Sequence, residues 1–193
     1  MNMNARHEGI FKSAQEAVLF ACHFSSQQYA MSPMAKILQR GGSGSGRGLI
    51  GLDGAAQAGM VMAEVDKLQK PHAWAVKARS APHREQCSCT SACCGGWKPN
   101  PVFNEALSWL ADHLVEVLEV LPPLRAFRVG VLARYFGAKL SVADLADDHG
   151  IPKRTAERHA KAIVDAMKAI EKAAWADLYV RLEDVGMLIK GTA

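Results

Sequence analysis

Long apolar runs are missing from this sequence, and aromatic residues are few. No window of roughly 18 apolar residues occurs, which is the length that a membrane-spanning helix needs, so we expect no membrane segment. Residues 1–9 lack the charged-then-apolar order of a secretory signal peptide, which predicts a cytoplasmic protein. Aromatic residues make up 7% of the chain whereas alanine is abundant, and this balance favours helices over sheets.

A strong excess of charge of either sign is also absent. The net charge is +4, which permits nucleic acid as a partner without requiring it. Residues 1–100 contain eleven Lys and Arg against six Asp and Glu, whereas residues 139–193 contain nine of each. A basic face in the C-terminal part must therefore arise from the arrangement of the charges and not from their total.

A glycine-rich stretch, residues 41–48, lacks the two features of a phosphate-binding P-loop. It has no Gly-Lys-Ser/Thr ending, and no apolar strand precedes it. We interpret it as a flexible linker, with a nucleotide site as the alternative. Helices are predicted on both sides of it. The first is capped by Ser13 and Glu16, and the second is capped by Asp53.

Four of the five cysteines lie in one eight-residue segment inside the loop 83–97. A cytoplasmic protein rarely keeps disulfides, so the cluster predicts a metal site, and zinc takes four thiolate or imidazole ligands in a tetrahedron. The alternatives are a redox-sensitive loop and a disulfide that forms only on oxidation. Three cysteines with His83 or His72 give an easier geometry than four cysteines on one ion. The predicted ligands are Cys87, Cys89, Cys93, Cys94 and His83.

The second half of the chain has the stronger helical periodicity. Asn100 is a predicted cap, and apolar residues at helical spacing follow from Phe103 to Leu121. The next predicted helix runs from Leu124 to Tyr135 and directs its arginines, Arg128 among them, outward. The sequence thus predicts a mainly α fold, a helical bundle with an irregular cysteine-rich loop. An N-terminal helical region, 1–98, precedes a helical domain, 99–193.

Residues 140–160 carry the pattern of a helix-turn-helix. Ser141 is placed to cap a short helix, and Gly150 supplies the turn, where a positive φ is cheap only for glycine. Pro152 begins a second helix, where its missing N–H is harmless. A helix-turn-helix places its second helix in the DNA major groove, so the polar residues of that helix's first turns are the predicted contacts. They are Lys153, Arg154, Thr155, Arg158 and His159.

The second helix of this motif is predicted to continue through Leu182, because apolar residues recur every three or four positions. It therefore packs on the body of the protein or on a second subunit, which makes a homodimer one of the expected assemblies. Three aspartates on the first helix would repel the phosphates of DNA, so we expect their side chains to face away from the duplex. They are Asp144, Asp147 and Asp148.

The segment from Tyr135 to Thr155, with the long helix after it, resembles the sigma-region-4-like helix-turn-helix of phage late-gene antitermination proteins of the Q type. The resemblance covers roughly residues 103–182. It implies a protein that binds double-stranded DNA near a phage promoter, loads onto the RNA polymerase of the bacterial host and promotes read-through of terminators. Carried over by position, the implied DNA contacts are Lys153, Arg154, Thr155 and Arg158. The glycine-rich stretch 41–48 and the clustered cysteines match no Q-type pattern, so the resemblance implies no role for residues 1–100.

Two other functions remain open at this point. A simple prophage repressor or activator would use the same helix-turn-helix. A metal-dependent enzyme acting on nucleic acid would use the cysteine loop, but it needs an open metal position and a nearby general base, for which Glu85 is the candidate. No His-Glu-x-x-His or paired-carboxylate motif occurs. We therefore expect a transcription regulator and not an enzyme.

Overall fold

The computed structural model describes residues 9–30, 51–87, 89, 95–118 and 124–189, with 25–30 and 51–52 described in backbone only. Within these ranges the chain is mainly helical, which confirms the predicted class. No helix there is long and apolar enough to cross a membrane. The helices are α1 Ala14–Ala30, α2 Gly51–Asp66, α3 Lys70–Ser80, α4 Pro101–Val117, α5 Arg125–Tyr135, α6 Val142–Asp148 and α7 Lys153–Asp184. Two antiparallel strands, β1 Arg84–Gln86 and β2 Trp97–Pro99, form a small hairpin between α3 and α4. The glycine-rich stretch 41–48 lies outside the described residues.

The chain divides into two compact units. The first comprises Met1–Leu68 and Trp175–Ala193, and the second comprises Gln69–Ala174. The predicted boundary after residue 98 differs from this division. The physical reason is that α3 packs against α4 and contributes Ala75 and Ala78 to the same hydrophobic core.

In the first unit, α1 packs against α2. Ser13 caps α1, since its Oγ accepts a hydrogen bond from the Glu16 N–H at 3.1 Å. The Glu16 carboxylate accepts from the Lys12 N–H at 2.7 Å, one residue earlier than a capping box requires. The predicted cap Asp53 is wrong, because α2 begins at Gly51 and Asp53 lies within its first turn.

The segment before α1 pairs with the segment after α7. Phe11 and Leu188 form a parallel bridge, and the N–H groups of Ile10 and Phe11 both donate to the Met187 carbonyl, at 2.9 and 3.0 Å. The Ile189 N–H donates to the Phe11 carbonyl at 2.9 Å. These bonds and the burial of Phe11 hold the two segments of the first unit together.

The second unit is built around α4, which packs against α3 and α5. Asn100 caps α4 as predicted, its Oδ1 accepting from the Phe103 N–H at 3.1 Å, with Pro101 in the first turn. The apolar faces of α4, α5, α6 and α7 then meet with that of α3 in one core. Its largest side chains are Phe103, Leu107, Leu110, Leu114, Phe127, Val131, Leu132, Phe136, Leu145, Ile163 and Met167.

Two predictions about α4 and α5 need correction. Helix α4 ends at Val117 and not at Leu121, and the side chain of Val117 is exposed. Arg128, predicted to point outward, is buried with 7% of its surface exposed. A buried guanidinium needs hydrogen-bond partners, and Arg128 Nε donates to the Ala111 carbonyl of α4 at 2.9 Å. Arg128 therefore links the two helices.

Candidate nucleic-acid interface

The candidate interface begins with the short helix α6. The Ser141 Oγ accepts from the Asp144 N–H at 3.0 Å, so Ser141 caps α6 as predicted. Helix α6 packs on α5 and buries Leu145 and Ala146. Its exposed surface carries the aspartates, and Asp147 Oδ2 lies 3.6 Å from the Lys153 Nζ.

The turn between α6 and α7 has the geometry that glycine favours. Gly150 has a φ of 63°, in the left-handed region, as the sequence predicted. Its N–H donates to the Asp147 carbonyl at 3.3 Å, and the Ile151 N–H donates to the Ala146 carbonyl at 2.9 Å. This pair of bonds is a Schellman motif, which satisfies the last carbonyls of a helix and turns the chain sharply. The start of α7 therefore has a fixed direction relative to α6.

Helix α7 is held in the second unit by a polar network on its inner side. The Arg79 guanidinium of α3 donates to both carboxylate oxygens of Glu171, at 2.7 and 2.8 Å. The Tyr135 hydroxyl of α5 donates to the same carboxylate at 2.6 Å. Burial and the Glu171 carboxylate raise the pKa of Tyr135 to about 12. One residue of α7 is thereby bound to two other helices.

The first turns of α7 present basic side chains to solvent. Lys153, Arg154 and Arg158 are exposed, and Thr155 is half-buried. Arg154 and Arg158 form no ion pair with any residue that the structure describes. An open depression of about 480 Å³ borders this surface. It is lined by Arg154, Thr155, Glu157, Arg158 and Lys161.

His159, predicted as a DNA contact, lies on the opposite side of α7. Only 6% of its surface is exposed, and burial, with the neighbouring Arg158 charge, lowers its pKa. Its position four residues before the buried Ile163 explains this placement, since residues four apart share a helix face. His159 is therefore removed from the set of contacts, because a buried ring cannot reach a base edge.

No known protein family, curated protein or solved structure matches this chain.

Sequence reasoning missed one residue of this surface. Lys161 is exposed and lines the same depression as Arg154 and Arg158. The spacing along the sequence indicates this position, because Lys161 follows Arg154 by seven residues, or two helical turns, and therefore lies on the same face of the helix. The exposed basic surface thus continues beyond the first two turns that the motif pattern indicates.

The predicted metal ligands are only partly described. Cys93 and Cys94 lie outside the described residues. The Sγ atoms of Cys87 and Cys89 lie 3.0 Å apart. Cys87 directly follows β1, and its N–H donates to the Gly96 carbonyl, which extends the hydrogen bonding of the hairpin by one residue pair. Among the described residues, no three His, Cys, Asp or Glu side chains come together in a group that could hold a metal ion.

His83 does not join these two thiols. Its ring stacks on Phe103 with centroids 4.2 Å apart, and its Nε2 lies 3.0 Å from the Phe136 carbonyl oxygen, to which the Nε2–H tautomer donates. The structure thus uses His83 to fasten the start of the hairpin to α4 and to the end of α5. The cysteine part of the metal prediction stays a prediction.

Proposed function

We propose that this chain binds double-stranded DNA through the first turns of α7 and acts as a transcription regulator. The observation that carries the proposal is the arrangement of α6, the glycine turn and α7, which directs Arg154 and Arg158 away from the core. Both arginines are exposed and form no ion pair within the part of the chain that the structure describes. In a helix-turn-helix this is the position of the recognition helix.

The chemistry of these side chains suits base reading and phosphate binding. An arginine can form two hydrogen bonds with the O6 and N7 atoms of guanine in the major groove. The N-terminus of a helix also attracts phosphate, because its N–H groups and its dipole point at the anion. Arg154 and Arg158 then supply sequence discrimination, while Thr155 and Lys153 position the helix on the backbone.

The charge balance limits the affinity that this surface supplies alone. Residues 139–193 contain equal numbers of acidic and basic residues, and Asp144, Asp147 and Asp148 are exposed on α6. Part of the binding energy must therefore come from another source. The resemblance of residues 103–182 to Q-type antitermination proteins supplies a candidate, the RNA polymerase of the bacterial host. We propose that the chain is such an antitermination factor.

DNA binding is tested by selecting target duplexes from a random-sequence library and measuring their affinity for single variants. We expect Arg154→Ala and Arg158→Ala to weaken specific binding by about 1–3 kcal/mol each, the usual value for a base-reading arginine. Arg84→Ala is the matched control, because Arg84 is exposed on β1, outside α7. Unchanged affinity in both α7 variants, with their helical content intact, would refute the proposal.

Antitermination is tested separately from DNA binding. Purified protein is added to transcribing bacterial RNA polymerase upstream of a terminator, on a template that carries the selected duplex, and the read-through transcript is measured. We expect more read-through, and we expect Arg154→Ala to lose that effect. Binding without read-through would instead identify a repressor or an activator.

A further inference from the structure

The exposed cations of α7 continue well beyond its first turns. Starting at Arg154, basic residues recur at positions four, seven, fourteen and eighteen residues further along. At 3.6 residues per turn these positions share one face of the helix. All of them are exposed. We call this face the basic stripe, and its members are Arg154, Arg158, Lys161, Lys168 and Lys172.

The basic stripe lies opposite the face that α7 buries, on which Ala156, Ala160, Ile163 and Met167 pack into the core. None of its cations forms an ion pair with a residue that the structure describes, although Glu157 and Asp165 lie within one turn of stripe members. Asp165 is the one acidic residue in line with the stripe, eleven residues after Arg154. The stripe therefore presents a nearly uniform row of positive charge to solvent.

The length of the basic stripe exceeds what the major groove accommodates. Arg154 and Lys172 are eighteen residues apart, which at 1.5 Å per residue is about 27 Å. The major groove is about 12 Å wide, so a recognition helix that enters it by its N-terminal turns fills it with about the 10 Å that separate Arg154 from Lys161. When the start of α7 occupies the groove, Lys168 and Lys172 lie beyond it, where the duplex offers only its sugar–phosphate backbone.

From this geometry we infer that Lys168 and Lys172 bind backbone phosphates of the same DNA duplex whose bases the start of α7 reads. The inference rests on the proposed DNA binding. Duplex DNA suits the stripe because it carries one negative charge per roughly 1.7 Å of its axis, so phosphates are closely enough spaced for each cation of the row to find one. Lys168 and Lys172 then contribute affinity without sequence discrimination.

The test is the salt dependence of binding, measured with two probes, the selected duplex and a random-sequence duplex of the same length. Each phosphate contact contributes a slope of about −0.9 in log K against log salt concentration. We expect the double variant Lys168→Gln/Lys172→Gln to flatten this slope by about 1.8 for both duplexes. Between 1 M and 0.1 M salt, a slope difference of about 1.8 amounts to roughly 60-fold in affinity. The ratio of the two affinities should stay as in the parent protein.

Two further variants sharpen this experiment. Asp165→Asn removes the opposing charge within the stripe and should strengthen binding to both duplexes. Lys70→Gln/Lys98→Gln removes the same number of positive charges outside α7 and should leave the salt slope unchanged. An unchanged slope in Lys168→Gln/Lys172→Gln, while the parent protein binds DNA, would overturn this inference and leave the proposed function standing. Failure of the parent protein to bind any duplex would overturn both.

Discussion

Gly130 of α5 and Leu145 of α6 meet with no room for an additional carbon atom. A Cβ placed on Gly130 would lie 2.6 Å from Leu145 Cδ2 and 3.2 Å from its Cδ1. Leu145 is buried in the core of the second unit, so its side chain has little freedom to move aside. The absence of a side chain at Gly130 thus lets α6, and with it the turn that leads to α7, approach α5 closely.

We expect Gly130→Leu to lower the free energy of unfolding by about 1–3 kcal/mol, since extra methylene groups in a packed core force neighbouring side chains out of their rotamers. Chemical denaturation measures this change. Gly130→Ala is the mild comparison. Its gain in helix propensity, about 1 kcal/mol, offsets part of the clash.

A double variant distinguishes this clash from an unrelated effect of leucine at position 130. Leu145→Ala alone leaves a cavity and should cost about 2–5 kcal/mol. When it is combined with Gly130→Leu, the new side chain can occupy part of that cavity, so the double variant should lose less stability than the sum of the two. Strict additivity would contradict the proposed contact.

Short sequence patterns predicted much of the helical framework. They did not predict the contacts between residues that are distant in sequence. The caps at Ser141 and Asn100 and the turn at Gly150 follow from short patterns in the sequence, and the structure confirms them. Nothing local shows that Arg128 is buried or that Gly130 is the contact point of α5, because both depend on which helix lies opposite.

The same distinction between local patterns and distant contacts applies to the candidate interface. The exposed positions of Arg154 and Arg158 follow from the motif, and the burial of His159 could have been deduced from its helical phase relative to Ile163. The ion pair between Arg79 and Glu171 could not have been deduced, since most of the second unit separates these residues in sequence.

We expect Glu171→Gln to destabilise the protein by about 1–2 kcal/mol. The reason is that the carboxylate accepts two charge-assisted bonds from Arg79 and a third from Tyr135, and an amide cannot replace them all. Thermal or chemical denaturation measures the loss. Glu105→Gln, which changes an exposed carboxylate on α4, is the control and should stay within about 0.5 kcal/mol of the parent. Equal stability of the two variants would show that the network contributes nothing.

Because the pKa of Tyr135 is raised, we expect the protein to lose stability at alkaline pH. Its pKa is raised from 10.0 to about 12, mainly by burial and then by the Glu171 carboxylate, so the folded state favours the neutral phenol. The unfolded chain ionises at lower pH and binds fewer protons between these values. The stabilising contribution is therefore complete below about pH 10 and is lost as the pH rises towards about 12.

Two measurements check this alkaline behaviour. Ultraviolet titration should show a phenol that ionises late in the parent protein, and that step should be missing in Tyr135→Phe. The free energy of unfolding of Tyr135→Phe should also fall less steeply between pH 10 and 12 than that of the parent. Parallel curves for the two proteins would refute the assignment.

The paired thiols of Cys87 and Cys89 lead to a prediction about metal binding. Their Sγ atoms are 3.0 Å apart, and a tetrahedral zinc site with Zn–S bonds of about 2.3 Å needs thiolates about 3.8 Å apart, so a small opening of the pair suffices. We expect about one zinc ion per chain in protein purified without chelator. The variant Cys87→Ser/Cys89→Ser should lose it, while Cys22→Ser, which changes the cysteine of α1, should retain it. Metal-free parent protein whose mass shows the loss of two hydrogen atoms would instead identify a disulfide, the alternative that the cysteine spacing left open.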